Sequence, residues 1–568
     1  MKQKTFLCII FQIVFLGGLL PGICQALLND TAHGRWNLLG KVKAQATFRT
    51  VDTPDNNSIP IKAGDLINQR NLLMLEFKHD LGQLLAVPQI EYYLQGRAYY
   101  DSVWDIGPDI FTDDETRQEY LFDNRDQIDD LKTDIDLFLG YMDVTYGFFF
   151  TRFGRQIISW GEMSTKRILD GTNPLDTTAS LAVDLLERMV PLAMVRSSVA
   201  FDDVGPFSSI GVEGYYIPGA IESKNGEELI DGSAIFPPIG QNTLADLEDP
   251  FSMSSLMQII EQVPDDIDLD RYGVKVNMMI GDLDLNFAYY RAYSDVPVPF
   301  LDVASFNPIY LTWFDILSFD LNDPLGSILG DQKMKVILKY DKVDVYGSSF
   351  NYYLSMLDIV LRGEIALFKN VPKILPGGIT DLVNGLAGKI YLPIEGLTLG
   401  NLISGIDLGA LLGDLDDMVL PFSSGKIATH DVWKYGIAID KNIVLPLNRE
   451  KEFMVMLEYV GSKIVGYEED TLIYPWQGPN GEPVYEPEFT HDIILIARTE
   501  YLNGLLTPQL TLFYEVVPEA LVLIPGLTVT KGPWLFDCTY MHTIANSYEQ
   551  EGFLESRKEL SISFTYLF

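Results

Sequence analysis

The sequence predicts an all-β fold, a single large antiparallel transmembrane β-barrel of about 16–18 strands with helical insertions that form loops or a plug. Three observations lead to this fold class. The chain begins with an export signal, its interior consists largely of segments in which apolar and polar residues alternate, and it ends on such a segment with an aromatic last residue.

The N-terminal segment has the order of a secretory signal peptide. Lys2 and Lys4 precede an apolar run over 6–20, and small Ala26 closes the segment. This order is typical of a peptide that is cleaved during export. We therefore predict a signal peptide over residues 1–26 and a barrel over 27–568. The alternatives are lipidation at Cys24, which lacks small residues before it, and a retained anchor, for which the run is short.

Cysteine content and net charge further limit how the exported chain can be stabilised and what it can bind. Removal of the signal peptide would leave one of the three cysteines, Cys538, so no internal disulfide could form and burial must stabilise the exported chain. The net charge of −38 argues against a nucleic-acid partner. Solvated acidic loops explain this charge; divalent cations that bridge the chain to a phosphate-rich membrane surface are the alternative.

The C-terminal segment Glu559–Phe568 alternates with the period of a strand. Its apolar face carries Leu560, Ile562, Phe564, Tyr566 and Phe568. A chain ending in this way resembles outer-membrane barrels, and the resemblance implies that Tyr566 and Phe568 belong to the signal read by the barrel-assembly machinery. A soluble β-sandwich could also end on an alternating strand.

Interior segments show the same alternation. The apolar sets include Tyr272, Val274, Val276 and Met278; Leu283, Leu285, Phe287 and Tyr289; Phe453, Val455, Leu457 and Tyr459; and Leu510, Leu512, Tyr514 and Val516. In a soluble sheet such a face needs a second protein layer, whereas in a barrel lipid covers it and the polar face lines the lumen. No segment after the signal peptide has 18 or more apolar residues free of charge, which excludes spanning helices.

Long insertions interrupt the strand rhythm. We predict a polar acidic loop over Thr112–Asp134 and helical insertions near 218–270, 296–332 and 372–426. The apolar residues of these three insertions lie mainly in Phe251–Val263, Tyr310–Phe319, Ile379–Leu386 and Leu397–Leu420. Loops this long usually have a function. Either the helices cover one another outside the barrel or rest on the membrane, or they fold over the lumen as an apolar lid.

Polar residues follow the apolar run Phe148–Phe150 directly. Arg152 and Arg155 are three residues apart, so a regular strand would point them to opposite faces. Either the strand ends here or Gly154 marks a bulge that redirects one arginine. Both alternatives predict a polar cluster near a rim of the barrel, joined by Gln156, Trp160 and, if the strand persists, Glu162.

The block GRQIISWGE at 154–162, followed by NPLD at 173–176 and PLAMV at 191–195, resembles a family of Gram-negative outer-membrane proteins known as domain of unknown function 1302. Matches continue in YGV at 272–274, DVYGSSF at 344–350, LRGEIA at 361–366 and NVP at 370–372. The resemblance implies a large barrel in the bacterial cell outer membrane, beside envelope transporters that move hydrophobic molecules. The leucine- and glycine-rich insertion after Pro372 departs from the family pattern.

We therefore expect an outer-membrane channel for hydrophobic or lipid-like molecules, with the insertions as lid or plug. The alternatives are a cation-preferring diffusion porin and a non-transporting scaffold of the envelope. Candidate residues along the cargo path are Arg152, Arg155, Gln156, Trp160, Glu162, Arg362 and Glu364. A structural ladder that stiffens the wall is the other interpretation of these charges. Expected partners are outer-membrane lipid, the barrel-assembly machinery, and a periplasmic carrier or inner-membrane transporter.

Enzyme signatures are missing from the sequence. None of the five histidines stands in an H-x-x-x-H spacing, and there is no G-x-S-x-G motif or nucleotide-binding fingerprint. We predict no catalytic residues, metal or cofactor. A lipase stays open because catalytic geometry need not follow a motif.

Overall fold

The computed structural model describes most of the chain after its first 35 residues. The described ranges are 36–52, 61–84, 87–113, 132–174, 188–218, 257–262, 271–294, 298–301, 309–310, 312, 334–339, 341–375, 377–378, 389–393, 398, 419–420, 423–424, 427–477, 483–517, 519–545 and 558–568. The predicted signal peptide and most of the predicted acidic loop lie outside these residues.

Eighteen strands form one closed antiparallel sheet, which confirms the predicted barrel. In chain order they are β1 Trp36–Arg49, β2 Leu66–Leu84, β3 Val87–Asp101, β4 Thr133–Tyr146, β5 Phe149–Gln156, β6 Leu192–Val204, β7 Phe207–Ile217, β8 Arg271–Ile280, β9 Leu283–Tyr293, β10 Lys342–Leu354, β11 Ile359–Lys373, β12 Ala428–Leu445, β13 Asn448–Ile464, β14 Phe489–Arg498, β15 Leu506–Val517, β16 Ala520–Lys531, β17 Trp534–Ala545 and β18 Glu559–Leu567. Each strand pairs with its neighbour in the chain, and β18 pairs with β1 to close the ring.

The two ends of the barrel differ in loop length. Short turns join each even-numbered strand to the next odd-numbered one, such as residues 281–282 between β8 and β9. Gly281 has φ +57, and Leu502, Asn503 and Gly504 of another predicted turn also have positive φ. The long connections all lie at the opposite end. In bacterial barrels the short turns face the periplasm.

The apolar residues of the alternating segments face the outside of the barrel, as the sequence predicts. Tyr272, Val274, Phe287, Leu457 and Leu510 keep between 39% and 49% of their surface exposed on the outside of the ring. No second layer of described residues covers this apolar face, which therefore suits contact with lipid. Within the described part of the chain, no helix has the length and hydropathy needed to cross a membrane.

The C-terminus completes the seam between β18 and β1. The amide of Phe568 donates to the carbonyl of Gly40 at 2.9 Å, and the amide of Gly40 donates back at 2.7 Å. The ring of Phe568 occupies the place that a side chain at position 40 would need. Tyr566 packs against Trp534 of β17, with ring centroids 4.3 Å apart. The predicted assembly residues thus lie at the closure of the ring.

The described parts of the insertions are strands, so the prediction of helices is wrong there. Met257–Gln262, Val298–Leu301, Met334–Lys339 and Ser423–Ser424 form a four-stranded sheet at the long-loop end, which we call the cap sheet. Ile309–Tyr310 pairs with Ile390–Tyr391, and Gly377–Gly378 with Val419–Leu420. Helical spacing was misleading because partners from distant loops supply strand pairing. The remaining residues of the helical segments lie outside the described ranges.

Two helices of four residues each, α1 Val103–Ile106 and α2 Asp109–Thr112, follow β3. Val103, Ile110 and Phe111 pack with Ile61 and Ile67 in a small apolar cluster. This cluster includes residues at the long-loop ends of β1 and β2, such as Ala46 and Leu66.

Candidate functional site: a strap across the lumen

The polar block after Phe148–Phe150 turns into the barrel. Strand β5 ends at Gln156, whereas Thr133–Leu139 of the neighbouring β4 continue beyond the last β4–β5 pair, Gly140 with Arg155. The chain then leaves the wall, and residues 157–174, which we call the strap, pack inside the ring. Trp160 and Glu162 therefore belong to no strand, so of the two predicted alternatives the strand ends here. The block turns into the lumen, whereas both alternatives placed it near a rim.

The strap crosses the full width of the lumen. The Nζ of Lys166 lies 2.6 Å from Oδ2 of Asp492 on β14. Because β14 is nine places from β5 in a ring of eighteen strands, this ion pair joins opposite sides of the barrel. Asp492 is 1% exposed, so the pair forms inside the wall. A strap anchored in this way divides the cross-section of the lumen.

Trp160 fixes the first half of the strap. Its indole Nε1–H donates to Oε1 of Glu213 on β7 at 2.6 Å. Its ring lies 5.1 Å from the ring of Tyr215 and 6.1 Å, edge-on, from that of Tyr290. Offset and edge-on aromatic contacts add to the burial energy. Trp160 thus joins the strap to β7 and β9.

Glu364 on β11 holds the middle of the strap through backbone amides. Its carboxylate accepts from the amides of Glu162, Met163 at 2.7 Å and Leu169 at 3.2 Å. Glu364 is only 4% exposed. A buried carboxylate is tolerated where it is fully hydrogen-bonded, and these donors satisfy it.

Arg362, two residues before Glu364 on β11, also binds the strap. Its guanidinium bonds both carboxylate oxygens of Asp440 on β12 at 2.8 Å. Another of its nitrogens donates to the carbonyl of Glu162 and, at 3.1 Å, to the hydroxyl of Ser164. The fork geometry of arginine suits this simultaneous contact with wall and strap.

Glu458 on β13 continues the row of carboxylates. It accepts from the amide of Ser164 at 2.9 Å and from the hydroxyl of Thr165, and it lies 3.5 Å from Arg362. Its side chain is fully buried. The wall therefore presents Glu213, Glu364, Glu458 and Asp492 to successive parts of the strap.

Glu162 itself faces the lumen beside β10. Its Oε2 accepts from the side-chain amide of Asn351 at 3.4 Å. Burial raises the pKa of Glu162 above its usual value, and the bond from Asn351 opposes this shift. The hydrogen-bond partner of the Glu162 carboxylate on the wall, Asn351, is thus a neutral side chain.

Apolar packing completes the contact between strap and wall. Ile158, Trp160, Met163, Ile168 and Leu169 form one buried cluster with inward residues of eight strands. Those strand residues are Leu192, Met194, Tyr215, Ile217, Ala288, Tyr290, Ala292, Val343, Val345, Ala366, Ala438, Val460 and Ile494. The lumen face of β6, β7 and β9–β14 thus carries apolar residues between its charged ones, whereas the alternation predicted a polar lining.

Two wall glycines make room for the strap. A Cβ on Gly347 would lie 2.2 Å from Leu169 Cδ2, and one on Gly436 would lie 2.9 Å from Ile168 Cδ1. Side chains there would push the strap away from β10 and β12.

Arg152 and Arg155 both face carboxylates of β4. Arg152 binds Asp143 with two bonds of 2.7 and 2.8 Å and lies over the ring of Tyr141. Arg155 Nη2 lies 3.8 Å from Asp136, and its Nε donates to the carbonyl of Phe138. The strand register passes Gly154 without a bulge, but the φ of +128 at this glycine redirects the chain. The two arginines thus have wall partners.

The ends of the strap meet at Asn173. Its Oδ1 accepts from the amide of Ile158 at 2.9 Å, and its Nδ2 donates to the carbonyls of Gln156 and Val190. Gln156 and Asn173 are both fully buried, and Gln156 donates to the carbonyl of Met194.

We expect Asn173→Ala to lower the midpoint of urea unfolding strongly. The change leaves one buried amide and two buried carbonyls without this side chain, and each such group costs about 1–3 kcal/mol. Urea titration of the detergent-solubilised protein, followed by tryptophan fluorescence, measures the effect. Asn37→Ala, at an exposed position of β1, serves as the control and should leave the midpoint within error.

The parts of the barrel wall that do not contact the strap carry paired charges and hydroxyls. Arg97 lies 3.2 Å from Asp136, Lys78 lies 2.8 Å from Glu91, and Thr47 shares a hydrogen bond with Ser561. Across the described ranges, no group of three or more His, Cys, Asp or Glu residues could hold a metal ion.

Of the predicted path residues, Gln156, Trp160, Glu162, Arg362 and Glu364 come together at the strap, whereas Arg152 and Arg155 lie beside it on β4 and β5. Sequence reasoning missed Glu213, Glu458, Asp492, Lys166 and Asn173. A signal was present for Glu213 and Asp492, since each is the single acid of its strand, whereas Glu458 is one of three glutamates in β13. Their common partner was not visible because the strap was interpreted as the end of a strand.

Solved structures similar to this chain are outer-membrane proteins of low sequence identity. OccAB4 of Acinetobacter baumannii is 7% identical with a TM-score of 0.44, over 95% of this chain and 100% of that one. OccAB3 of the same organism is 7% identical with a TM-score of 0.42, over 94% and 99%. The anion-selective porin from Comamonas acidovorans is 10% identical with a TM-score of 0.34, over 94% and 99%.

No curated protein matches the chain. The family of proteins of unknown function DUF1302 matches over residues 20–568, nearly the whole length, and the chain belongs to this family.

Proposed function

We propose that the protein is an outer-membrane channel of Gram-negative bacteria for hydrophobic or lipid-like molecules. The observation that supports it most is the apolar surface inside the barrel. Barrels that conduct hydrated solutes have polar interiors. Here the strap and inward residues of β6, β7 and β9–β14 form one buried apolar cluster in the lumen.

A cavity of about 360 Å³ adjoins this cluster on the long-loop side of the strap. Its volume lies within the range of about 300–1,000 Å³ typical of small-molecule sites. Val298 of the cap sheet and Ile374 beyond β11 border it. In this proposal the cap sheet acts as the lid, the cavity receives the cargo, and the strap controls passage to the short-turn end.

The proposed partners follow from the position in the envelope. Lipid covers the exposed apolar belt, and the barrel-assembly machinery reads the C-terminal strand with Tyr566 and Phe568. A periplasmic carrier or an inner-membrane transporter would supply or accept cargo at the short-turn end. No catalytic role is part of the proposal.

Uptake of a hydrophobic dye by cells, together with planar-bilayer conductance of the purified protein, tests the proposal. We expect expression to accelerate uptake of phenylnaphthylamine, while the purified protein shows low ion conductance. Large steady conductance without dye uptake would instead identify a diffusion porin. Neither activity, together with stable co-purification of envelope proteins, would identify a scaffold.

A further inference from the structure

A groove of about 300 Å³ lies on the outside of the barrel, across β17, β18 and β1–β4. Two neighbouring rows of paired residues form it. One row runs through the six strands as Trp534, Tyr566, Val42, Leu73, Ala98 and Ile135. The other runs through five of them as Phe564, Ala44, Asn71, Tyr100 and Thr133. Lys43, Leu72 and Tyr99, the residues between these rows, also border it.

The groove opens on the lipid-facing side of the barrel. Leu73 and Tyr100 are each 39% exposed, and Ile135 is 81% exposed. Ala44, at 8%, forms the floor, because a methyl side chain does not reach the level of its larger neighbours. The groove is therefore a depression within the exposed apolar belt and is continuous with the surface that lipid covers.

The length and direction of the groove suit a hydrocarbon chain. Neighbouring strands lie about 4.8 Å apart, so the five spacings from β17 to β4 give a length of about 24 Å. Trp534 is the first residue of β17, after a short turn, and Thr133 is the first residue of β4, after a long connection. The groove therefore runs from the short-turn end toward the long-loop end. A flexible acyl chain can follow such a narrow path, and burial of its apolar surface is favourable.

Asn71 is the polar residue in the middle of the groove, and its side chain is bonded within the wall. It exchanges hydrogen bonds with the side-chain amide of Gln69 at 3.2 and 3.3 Å. Because the two amides satisfy each other, an apolar chain beside them leaves no polar group without a partner.

Helices α1 and α2 bound the groove at the long-loop end, beyond the exposed belt. Ala46, two residues after Ala44 on the same face of β1, is 5% exposed and belongs to the cluster that contains Val103 and Phe111. The apolar surface of the groove thus ends beneath these helices.

An exposed ion pair lies at this end of the groove. The Nζ of Lys132 lies 2.6 Å from Oδ1 of Asp105 in α1, and the two side chains are 27% and 39% exposed. The hydroxyl of Tyr100, which lines the groove, donates to the same carboxylate. Charged groups at one end of an apolar groove match a molecule whose polar head adjoins its hydrocarbon chain.

We propose that the groove binds one phosphate-bearing membrane lipid, in which an acyl chain lies along Leu73, Ala98 and Ile135 and the phosphate lies beside Lys132. An ammonium group has three N–H donors, so a phosphate can share Lys132 with Asp105. A lipid held in this way contacts strands on both sides of the seam at which β18 closes the ring on β1. The site lies outside the lumen and does not depend on the cargo proposed above.

Photolabelling of the full-length barrel in dodecyl maltoside, a detergent without phosphate, tests this site. The probes are phosphatidic acid and diacylglycerol with the same diazirine on one chain. We expect phosphatidic acid to label peptides that contain Leu73, Ala98 or Ile135, with unlabelled phosphatidic acid as an effective competitor. Diacylglycerol should need an about tenfold higher concentration for half-saturation, because it lacks the charge-assisted contact.

Variants at the two parts of the groove test the chain and the head separately. Ala98→Phe should raise the half-saturating concentration of phosphatidic acid about tenfold, the change expected when roughly two methylenes lose their contact. Ala497→Phe is the matched control, since Ala497 pairs with outward-facing Leu510 on β15. Lys132→Gln should remove the preference for phosphatidic acid over diacylglycerol. Lys531→Gln, at an exposed position beside the short-turn end of the groove, should retain it.

Electrophoresis of unheated samples checks that each variant is a folded barrel. Because Lys132 is partly exposed and precedes β4, Lys132→Gln tests the site even where Ala98→Phe does not fold.

Equal half-saturation by both probes, or a preference that Lys132→Gln leaves unchanged, overturns the phosphate contact. Labelling spread over the outward-facing peptides of all strands, without an effect of Ala98→Phe, overturns the groove as a site and shows unspecific lipid contact only. Loss of the preference in Lys531→Gln but not in Lys132→Gln overturns the position of the head. None of these results bears on dye uptake, which tests the channel separately.

Discussion

Replacement of strap residues 159–172 by a short glycine–serine linker is expected to increase single-channel conductance severalfold. The strap joins β5 to β14 across the ring, so its removal opens the cross-section that it divides. The barrel wall should remain folded, because each of the eighteen strands pairs with its two neighbours and the strap contributes no strand. Planar-bilayer recordings of the purified protein measure the effect.

The chain permits this deletion without strain at its ends. Asn173 accepts a hydrogen bond from the amide of Ile158 at 2.9 Å, so the residues that flank the deletion already lie side by side. Removal of the exposed residues Glu468–Asp470 between β13 and β14 is the control. Unchanged conductance in the strap deletion would show that other parts of the chain close the lumen.

The deletion should also lower stability. Trp160, Met163, Ile168 and Leu169 leave the buried cluster, and removal of one buried tryptophan side chain alone typically costs about 3–5 kcal/mol. The inward faces of β9 and β10 would then meet water. A lower urea midpoint together with higher conductance is therefore the expected combination.

The barrel was predictable from sequence because its determinants are local. Alternation along one strand decides which face meets lipid, and each segment can be interpreted without knowledge of its partner. Tyr272, Phe287 and Leu510 illustrate this, since all three were assigned to the apolar face and lie on the outside. The turns at Gly281 and at Asn503 were likewise evident from residue type.

The strap was not predictable because its contacts are distant in the chain. Lys166 and Asp492 are 326 residues apart, and Glu162 contacts a carboxylate on β11. No periodic pattern relates such positions. The cap sheet was not predicted for the same reason, because Met257–Gln262 forms a strand by pairing with the distant Met334–Lys339. The alternation predicted a polar face toward the lumen, whereas apolar residues there form the surface on which the strap packs.

Glu364→Ala is expected to release the strap and raise conductance in a full-length chain. The carboxylate accepts from the amides of Glu162, Met163 and Leu169 in a buried setting. Loss of the acceptor leaves three amides to find other partners, at about 1–3 kcal/mol each. Movement of the strap toward water relieves this cost. Bilayer recordings and urea titration measure both consequences.

Two matched variants show whether Glu364 positions the strap or only stiffens the wall. Glu364→Gln keeps one acceptor oxygen for Glu162 and Met163 but places a donor near Leu169, so its conductance should lie between that of the wild type and that of Glu364→Ala. Glu450→Ala, an exposed glutamate of β13, should change neither property. A wall ladder without influence on the strap would lower the urea midpoint in Glu364→Ala and leave conductance unchanged. Because the partners of Glu364 are backbone amides of the strap, we expect that Glu364 positions the strap and that Glu364→Ala raises conductance.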